Sequence, residues 1–266
     1  MVMVGCDSKA AGRRGGFSLV ELLIVVGILG VLVGILLPSL AAARGRARKT
    51  VCAANLRTLG LGTTMYLEEN EGDFFRYYLP CDAAYGLGAG RLWWFGFEAG
   101  GPGTGTNRSL NKGVSPLAPY TAGLDARMQC PDFPYGDPSF NAKFEGRAAS
   151  YGYNLKLGPT SLTTDSNRRQ YADRLKDVVV FVDGVHFDFG TTFNEGHYLQ
   201  YWPGAAAASG YAHFRHPAKV KGEAQLVYLD GHVEGQQLSG ASFRTVAGGA
   251  AGNLVSPDGL NRIYGY

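Results

Sequence analysis

The sequence lacks a strong excess of charge of either sign. It has 25 lysine and arginine residues against 22 aspartate and glutamate residues, which gives a formal net charge of +3. A dedicated nucleic-acid-binding protein normally owes its affinity to a pronounced basic excess. We therefore expect no nucleic-acid partner.

Cysteines and enzyme motifs are also scarce. Four cysteines in 266 residues are too few for a disulfide scaffold, and no two of them form a C-x-x-C pair, which excludes zinc ribbons and thioredoxin-like motifs. The chain contains no G-x-S-x-G, P-loop, H-E-x-x-H or EF-hand signature. We predict that the protein is not an enzyme, and we expect no cofactor other than a possible divalent metal.

Core-forming residues and glycine, by contrast, are abundant. Hydrophobic residues make up 45% of the chain and charged residues 18%, so disorder for want of a core is excluded. The 39 glycines are about twice the usual share and predict a loop-rich fold. The length fits one large domain or a domain with an appendage.

One long hydrophobic run stands near the N-terminus. Within residues 17–37 the clearly polar members are Ser18 and Glu21. A helix of this length crosses the ~30 Å hydrocarbon core of a bilayer. A secretory signal peptide, with small residues for cleavage at 41–43, is one alternative, but its apolar core normally spans only ~7–15 residues. A plain membrane anchor and a buried core helix are the others.

The start of this run carries a specific pattern. Residues 16–21 read Gly-Phe-Ser-Leu-Val-Glu, which resembles the processing site of type IV pilins and type II secretion pseudopilins. The resemblance implies a leader at 1–16, cleavage between Gly16 and Phe17 by a prepilin peptidase, and N-methylation of Phe17. It also implies assembly roles for Glu21 and for Pro38, which lies where many pilins carry a proline.

Elementary electrostatics fits this resemblance. A carboxylate within a membrane span costs something like 2.5–3.5 kcal/mol at the bilayer centre, so Glu21 should have a partner. After cleavage the amine of Phe17 would be a cation in the same apolar layer. Between neighbouring subunits the two charges could neutralise each other and set the axial register of a filament.

The resemblance, rather than charge counting, places the leader in the cytoplasm. Basic residues lie on both sides of the span, at 9, 13 and 14 before it and at 44, 46, 48 and 49 after it, so the positive-inside rule does not favour a cytoplasmic leader. We interpret the basic residues after the span as solvated or facing lipid headgroups. The resemblance implies a single-pass protein of the bacterial inner membrane with an extracytoplasmic C-terminal domain. It also implies that the protein can be extracted from the membrane into a filament.

The helix is expected to continue past the span to about Glu69. Five residues recur at helical spacing and mark one apolar face, namely Cys52, Leu56, Leu59, Thr63 and Tyr66. Gly60 is assigned to another face. We therefore divide the chain into a leader (1–16), a transmembrane half of the helix (17–37), an amphipathic half (38–70) and a globular domain (71–266).

The globular domain shows two clear strand patterns. Val178 to Val182 and Ala224 to Leu229 are each followed by Asp-Gly, at 183–184 and at 230–231. The second pair looks like a two-residue type I′ hairpin. The chain is thus predicted to be α+β, with a long N-terminal helix packed on a mainly antiparallel sheet, as in the lollipop shape of pilins.

A second resemblance extends along the chain. Residues 50–60, Cys130-Pro131, the segment 150–154 and Arg215-His216 followed by Asp230-Gly231 are similar to a large bacterial group of prepilin-like proteins. Cys52 and Cys130 belong to that pattern and Cys81 does not, so the resemblance favours a Cys52–Cys130 disulfide. A Cys81–Cys130 bridge and three unpaired thiols are the alternatives.

Two residue groups were candidates for a binding site. Imidazole and carboxylate groups that could hold a divalent metal are His213, His216, Asp230 and His232, with Asp183 and His186 as possible additions. The alternative is ordinary turn chemistry at Asp230 and histidines bonded to backbone or water. The aromatic segment 93–97 is expected to pack in the core, with sugar stacking as the alternative.

These observations predict a structural subunit, minor or specialised, of a type IV pilus-like or type II secretion pseudopilus filament. Its expected partners are the prepilin peptidase, other pilin or pseudopilin subunits, the inner-membrane assembly platform and the lipid bilayer. The alternative is a membrane-anchored extracytoplasmic binding protein or metallohydrolase that does not polymerise. Unlike a filament subunit, such a protein should tolerate an unrelated membrane span.

Overall fold

A computed structural model describes most of the chain. The described residues are 17–81, 86–100, 108–122, 126–158, 168–187, 192–199, 210–216, 222–237, 244–246 and 249–252. The leader with Cys6 and Gly16, and most of the glycine-rich segments 99–106 and 204–210, lie outside them.

The N-terminal helix, α1, spans Leu19–Glu69, which confirms the predicted long helix. It begins at a capping box, because the Ser18 hydroxyl accepts the N–H of Val20 at 3.3 Å and Glu21 Oε2 accepts the N–H of Ser18 at 2.9 Å. It ends where Glu71 and Gly72 adopt positive φ angles of 56° and 87°. Pro38 lies inside the helix.

The chain divides into two compact units between Arg44 and Gly45, within α1. In the first unit, each large hydrophobic side chain from Leu19 to Leu40 is at least 46% exposed. The second unit contains the rest of the helix and the sheets. Helical residues 45–69 are therefore part of the globular unit.

One face of the second half of α1 is buried. The buried helical residues are Cys52, Leu56, Leu59, Gly60, Gly62, Thr63 and Leu67. Tyr66 is only partly buried and Leu67 takes its place in the core. The assignment of Gly60 to another face was wrong, because a Cβ there would lie 2.6 Å from Val227 Cγ2. The absence of a side chain at Gly60 thus allows the helix backbone to lie close to Val227.

Twelve strands form two sheets among the described residues. The strands are β1 (Tyr78–Cys81), β2 (Gly90–Trp93), β3 (Gly96–Ala99), β4 (Tyr151–Asn154), β5 (Val179–Phe187), β6 (Phe193–Glu195), β7 (Tyr198–Leu199), β8 (Gly210–Phe214), β9 (Glu223–Tyr228), β10 (Val233–Gln237), β11 (Arg244–Val246) and β12 (Gly249–Gly252). The described part of the chain also contains three 3-10 helices, which span Ala118–Tyr120, Ala126–Met128 and Arg168–Arg174.

The larger sheet is organised around β5. Its main order is β10-β9-β5-β8-β12-β11, while β4 and β6 also pair with β5, and β7 pairs with β4. The strand pairs are antiparallel except β4–β7. The strands β1, β2 and β3 form a separate antiparallel sheet. Together with α1 this is the predicted α+β architecture.

The strand β5 is longer than its sequence pattern indicated. It continues through Asp183-Gly184 to Phe187, and all nine of its residues are buried. Gly184 is required here, because a Cβ would clash with the carbonyl oxygen of Gly196 and lie 2.9 Å from the Gly152 nitrogen. The first Asp-Gly pair therefore marks a close approach of backbones rather than the end of a strand.

The second Asp-Gly pair does form a hairpin, between β9 and β10. The Gly231 N–H donates to the Tyr228 carbonyl at 2.9 Å, and the Tyr228 N–H donates to the His232 carbonyl at 3.0 Å. Gly231 has a φ of 87°, whereas Asp230 is not among the residues with positive φ. The predicted type I′ turn is therefore wrong, because that turn needs positive φ at both central residues.

The aromatic segment 93–97 lies in the core, as predicted. Trp94 and Phe95 are fully buried. The Trp94 ring centroid lies 4.8 Å from that of Phe181 on β5, and the Trp93 ring stacks on Phe95 at 5.7 Å. These rings join the smaller sheet and its turn to the main core, which leaves no exposed stacking platform in this segment.

Candidate functional site

The residues of the predicted processing and assembly site lie at the N-terminal end of α1. Phe17 is exposed and precedes the helix, and Gly16 lies outside the described residues. Glu21 closes the capping box through its contact with the Ser18 N–H. Its carboxylate thus has a backbone partner within its own chain, in addition to the intersubunit role predicted for it.

The exposed first half of α1 has the composition of a membrane span. Among the described residues it is the one helix long and apolar enough to cross a bilayer, with a mean hydropathy of 2.9 over its most apolar 18-residue window and none of that window buried. Gly27, Gly30 and Gly34 have no other atoms within 4 Å of the place a Cβ would occupy. This surface is therefore open to lipid or to another helix.

In the second half of the helix, a disulfide connects α1 to the domain. Cys52 and Cys130 are bonded, with their Cα atoms 5.3 Å apart and a sequence separation of 78. This is the pairing that the resemblance favoured. Both residues are fully buried, and Cys81 is a buried free cysteine.

A set of charged side chains surrounds this disulfide, and we call it the polar cluster. Its members are Arg48, Asp132, Asp183, Arg215 and His216.

At the centre of the polar cluster is the imidazole of His216. Its Nδ1 lies 2.6 Å from Asp132 Oδ2, and its Nε2 lies 3.3 Å from Asp183 Oδ2 and 3.2 Å from the sulfur of Cys130. The backbone of His216 is fixed by an antiparallel bridge to Glu223, at the start of β9. The end of the sheet thus holds the imidazole so that each ring nitrogen faces a carboxylate.

Asp183 and Arg215 form the buried ion pair of the polar cluster. Arg215 Nη2 donates to Asp183 Oδ1 at 2.6 Å and to the Ser150 carbonyl at 2.9 Å. The second oxygen of Asp183 accepts the N–H of Gln225 at 2.8 Å. Both side chains are almost completely buried. Removing one partner of such a pair leaves an uncompensated buried charge.

The electrostatics of the polar cluster follow from these contacts. Burial alone lowers the pKa of His216, but the hydrogen bonds to Asp132 and Asp183 outweigh it and raise that pKa above its ordinary value. Burial raises the pKa of Asp183, yet Arg215 and His216 bring it below its ordinary value. The pKa of Asp132 is likewise lowered, because His216 and Arg48 more than offset its burial.

The basic residues of α1 contribute to this arrangement. Arg48 Nε is paired with Asp132, and Lys49 Nζ lies 2.7 Å from Glu223 Oε1. Both side chains remain at least partly exposed, as expected for residues 44–49, but they also form ion pairs that the sequence did not predict. They bind the second half of the helix to the loop after Cys130 and to the start of β9.

The structure does not bring the four predicted metal ligands together. His216 lies opposite Glu223 at the start of β9, whereas Asp230 and His232 lie beyond its end. Six strand residues at ~3.3 Å each separate the two places by about 20 Å. The Asp230 carboxylate instead contacts His232 Nδ1 at 2.6 Å on the exposed hairpin, which is the turn chemistry considered as the alternative.

The other candidate residues have separate surroundings. His213 Nδ1 lies 3.2 Å from Arg215 Nη1, and burial together with Arg215 holds the pKa of His213 well below its ordinary value. His186 contacts the hydroxyl of Tyr198 at 3.1 Å. Of the two residues considered as additions, Asp183 is the one that joins His216.

Among the described residues, one group of four possible metal ligands does lie together. The ligand atoms of Cys52, Cys130, Asp183 and His216 are all within 4.8 Å of one another. The two sulfurs are bonded to each other and are therefore not thiolate ligands in this state.

Sequence reasoning missed Asp132, Arg48 and the capping role of Glu21. The capping box was recognisable, since Ser18-x-x-Glu21 precedes an apolar run. Asp132 follows Cys130-Pro131 directly, so its position near the disulfide was also accessible. The contact with Arg48 depends on the packing of α1 and had no signal in the local sequence.

The N-terminal segment is also similar in sequence to known proteins. Residues 12–37 match the family described as the prokaryotic N-terminal methylation motif. The N-terminal segment therefore resembles those of type IV pilins and pseudopilins, and the match supports a pilus-like structural subunit.

A curated type IV pilus protein is also similar to part of the chain. A segment of 55 residues is 46% identical to the type IV wide pilus major component PilA4 of Thermus thermophilus, and it covers 21% of this chain and 42% of that protein. The chain thus matches less than half the length of this relative. No solved structure matches the chain.

Proposed function

We propose that the chain is a subunit of a type IV pilus-like or type II secretion pseudopilus filament. The observation that carries the proposal is the first half of α1. It is apolar on every side and exposed throughout, and its single acidic residue, Glu21, stands in the first turn. Such a surface requires lipid before assembly and neighbouring helices afterwards.

Processing would precede assembly. A prepilin peptidase cleaves between Gly16 and Phe17, and the new amine of Phe17 is methylated and keeps its charge. The match to the methylation motif spans both residues. The capping box supports this step, since it fixes the start of the helix immediately after Phe17.

In the filament, Glu21 would have two contacts. One carboxylate oxygen caps its own helix through the Ser18 N–H. A carboxylate accepts several hydrogen bonds, so it can also bind the Phe17 amine of a neighbouring subunit. The open helix face at Gly30-x-x-x-Gly34 permits the close helix approach that this contact needs.

We further propose that the subunit is minor or specialised and has no enzymatic role. The 55 matched residues make up 42% of the pilus major component but 21% of this chain, so this chain is about twice as long. Before assembly the span would anchor the chain in the inner membrane with the domain outside the cytoplasm.

The deciding experiment compares two substitutions of Glu21 in cells that assemble the filament. Glu21→Gln keeps a cap, because glutamine serves in a capping box, but it removes the charge. Glu21→Val removes both. We expect both variants to insert into the membrane and neither to enter filaments. Assembly of Glu21→Gln at wild-type levels would show that Glu21 acts only as a cap.

Two further measurements separate a filament subunit from an anchored binding protein or hydrolase. Intact-mass analysis should give a 250-residue chain that begins with methylated Phe17, whereas a mature start at Arg44 would indicate a secreted domain. Replacing residues 19–37 by an unrelated apolar span should abolish incorporation into filaments. A chain that keeps its cellular function after this replacement does not act by polymerising.

A further inference from the structure

We propose that Cys52, Cys130, Asp183 and His216 form a tetrahedral Zn²⁺ site when the disulfide is reduced. The disulfide and the zinc site are then two states of one buried group of side chains. This inference concerns the domain and does not rest on the proposed filament role.

The ligand atoms already have suitable spacing. Typical bonds of ~2.3 Å to sulfur and ~2.0 Å to nitrogen or oxygen place tetrahedral ligand atoms about 3.3–3.8 Å from one another. His216 Nε2 lies 3.2 Å from the Cys130 sulfur and 3.3 Å from Asp183 Oδ2. Opening the S–S bond is the main movement required, since all four atoms lie within 4.8 Å of one another.

The imidazole of His216 is oriented as a metal ligand. A carboxylate accepts hydrogen bonds, so the 2.6 Å contact with Asp132 Oδ2 assigns a proton to Nδ1 and leaves Nε2 to face the sulfurs and Asp183. Histidines that bind zinc commonly donate their other N–H to a carboxylate in this way. Arg48 in turn holds the second oxygen of Asp132.

The charges of the reduced cluster also balance. Two thiolates and the Asp183 carboxylate supply three negative charges, and Zn²⁺ with Arg215 supplies three positive ones. Asp183 retains Arg215 on Oδ1 and the Gln225 N–H on Oδ2, and a carboxylate oxygen has a further lone pair for a metal. Net neutrality matters because the group is buried.

Conversion between the states follows ordinary thiol chemistry. A water-soluble phosphine gives two electrons to the S–S bond and becomes the phosphine oxide with oxygen from water, while Cys52 and Cys130 each take up one proton. Binding of Zn²⁺ releases the protons of both thiols and, where the imidazole is protonated, the Nε2 proton of His216, so two protons leave when His216 is neutral and three when it is protonated. The Asp132 side chain, which is 11% exposed beside the partly exposed Arg48, offers the entry path.

The experiment uses the full-length protein in detergent. It is reduced with the phosphine under anaerobic conditions, incubated with Zn²⁺ and freed of unbound metal by gel filtration. We expect about one zinc per reduced chain and none per oxidised chain, with release of the zinc on reoxidation. Equal zinc in the two forms would overturn the proposal.

Substitutions then test the ligand set. His216→Gln should weaken zinc binding by more than the ~10–100-fold typical of outer-shell changes, and Asp132→Asn should fall within that range. Cys81→Ser and His232→Gln are matched controls, because neither residue belongs to the group, and both should bind as wild type. Unchanged binding in His216→Gln would refute the assigned ligands.

A second measurement does not depend on whether the variants fold. Reduced wild-type protein loaded with Co²⁺ should show the intense visible bands of a tetrahedral ion and the near-ultraviolet bands of thiolate coordination. Weak bands typical of six-coordinate Co²⁺, with no thiolate absorption, would refute the site even if some zinc co-purified.

Discussion

The two halves of α1 share one continuous helix but have opposite surroundings. From Leu19 to Leu40 the large hydrophobic side chains are exposed. From Cys52 to Leu67 a buried face alternates with an exposed one. The first half is apolar on all sides, and the described residues leave its side chains uncovered. The second half is apolar on one side because the domain covers that side.

The glycines of α1 also have different surroundings in the two halves. At Gly30 and Gly34 no atom beyond the neighbouring helix backbone lies within 4 Å of where a Cβ would be, whereas at Gly60 and Gly62 the methyl groups of Val227 and Thr121 lie at 2.6 and 2.7 Å. Glycine in the first half is available for a neighbouring helix. The glycines of the second half already pack closely against other residues of the same chain.

The two halves of α1 therefore owe their stability to different contacts. The second half is held by the disulfide, by the ion pairs of Arg48 and Lys49 and by core packing. The first half contains a cap and no such contact among the described residues. Substitutions in the two halves should therefore affect different measurements, namely domain unfolding and filament assembly.

The largest expected effect on the domain comes from Arg215→Met. It removes the arginine that pairs with the buried Asp183 carboxylate, and breaking a buried ion pair in this way typically costs about 3–5 kcal/mol. Denaturant unfolding followed by tryptophan fluorescence measures this loss, because all three tryptophans lie after residue 90. Arg57→Met, at an exposed helical position, is the control and should stay within about 0.5 kcal/mol of wild type. A loss below 1 kcal/mol in Arg215→Met would contradict the pairing.

The next effect is that of the disulfide. The double variant Cys52→Ser/Cys130→Ser should lose about 2–4 kcal/mol, since a bridge that closes a long loop restricts the unfolded chain. Non-reducing peptide mapping should recover a peptide that links these two cysteines. Recovery of a link to Cys81 would contradict the structure, and membrane insertion of the double variant should be unchanged.

A smaller effect is expected at Gly60. Gly60→Ala places a Cβ against the stiff Val227 side chain, and overpacking of this kind costs about 1–3 kcal/mol, while alanine recovers up to ~1 kcal/mol of helix propensity. The domain should therefore unfold at lower denaturant. Gly34→Ala makes the same chemical change where no neighbour exists, and it should leave domain unfolding unchanged. If both variants unfolded at the same denaturant concentration, the difference in packing between Gly60 and Gly34 would be refuted.

The Asp-Gly pairs show how far the sequence could predict this fold. Asp230-Gly231 lies in a hairpin as expected, because its surroundings are local. Asp183-Gly184 has the same two residues but lies inside a buried strand, where Gly184 meets the backbones of Gly152 and Gly196. That reason is tertiary, so no local pattern could have revealed it.

The candidate sites divide in the same way. The N-terminal motif and the long helix were predictable, because a cap and an apolar run are encoded by neighbouring residues. The polar cluster joins residues 48, 132, 183, 215 and 216. The resemblance indicated Cys130 and His216, but the pairing of His216 with Asp183 rather than Asp230 depends on the register of β5 and β9, which only the assembled sheet determines.

The smallest expected effect is the acid sensitivity of the domain, and His197 is the residue that tests it. The described residues of the first unit contain two ionisable side chains, Glu21 and Arg44, whereas the domain buries several histidines. Burial, and after it the positive charges of Lys143, His186 and Arg108, holds the pKa of His197 well below its ordinary value.

The direction of this pH dependence follows from the number of protons that the folded and unfolded chains bind. Below the unfolded pKa of about 6.5 the unfolded chain binds a proton at His197 that the folded domain does not. The free energy of unfolding therefore falls as the pH falls, by at most ~1.4 kcal/mol per pH unit for this residue, until the pH reaches the folded pKa. His197→Gln should lose less stability between pH 7 and pH 5 than wild type, as measured by denaturant unfolding at each pH. His232→Gln, at an exposed hairpin position, should follow the wild-type curve, and an unchanged pH dependence in His197→Gln would show that this histidine is protonated in the folded domain.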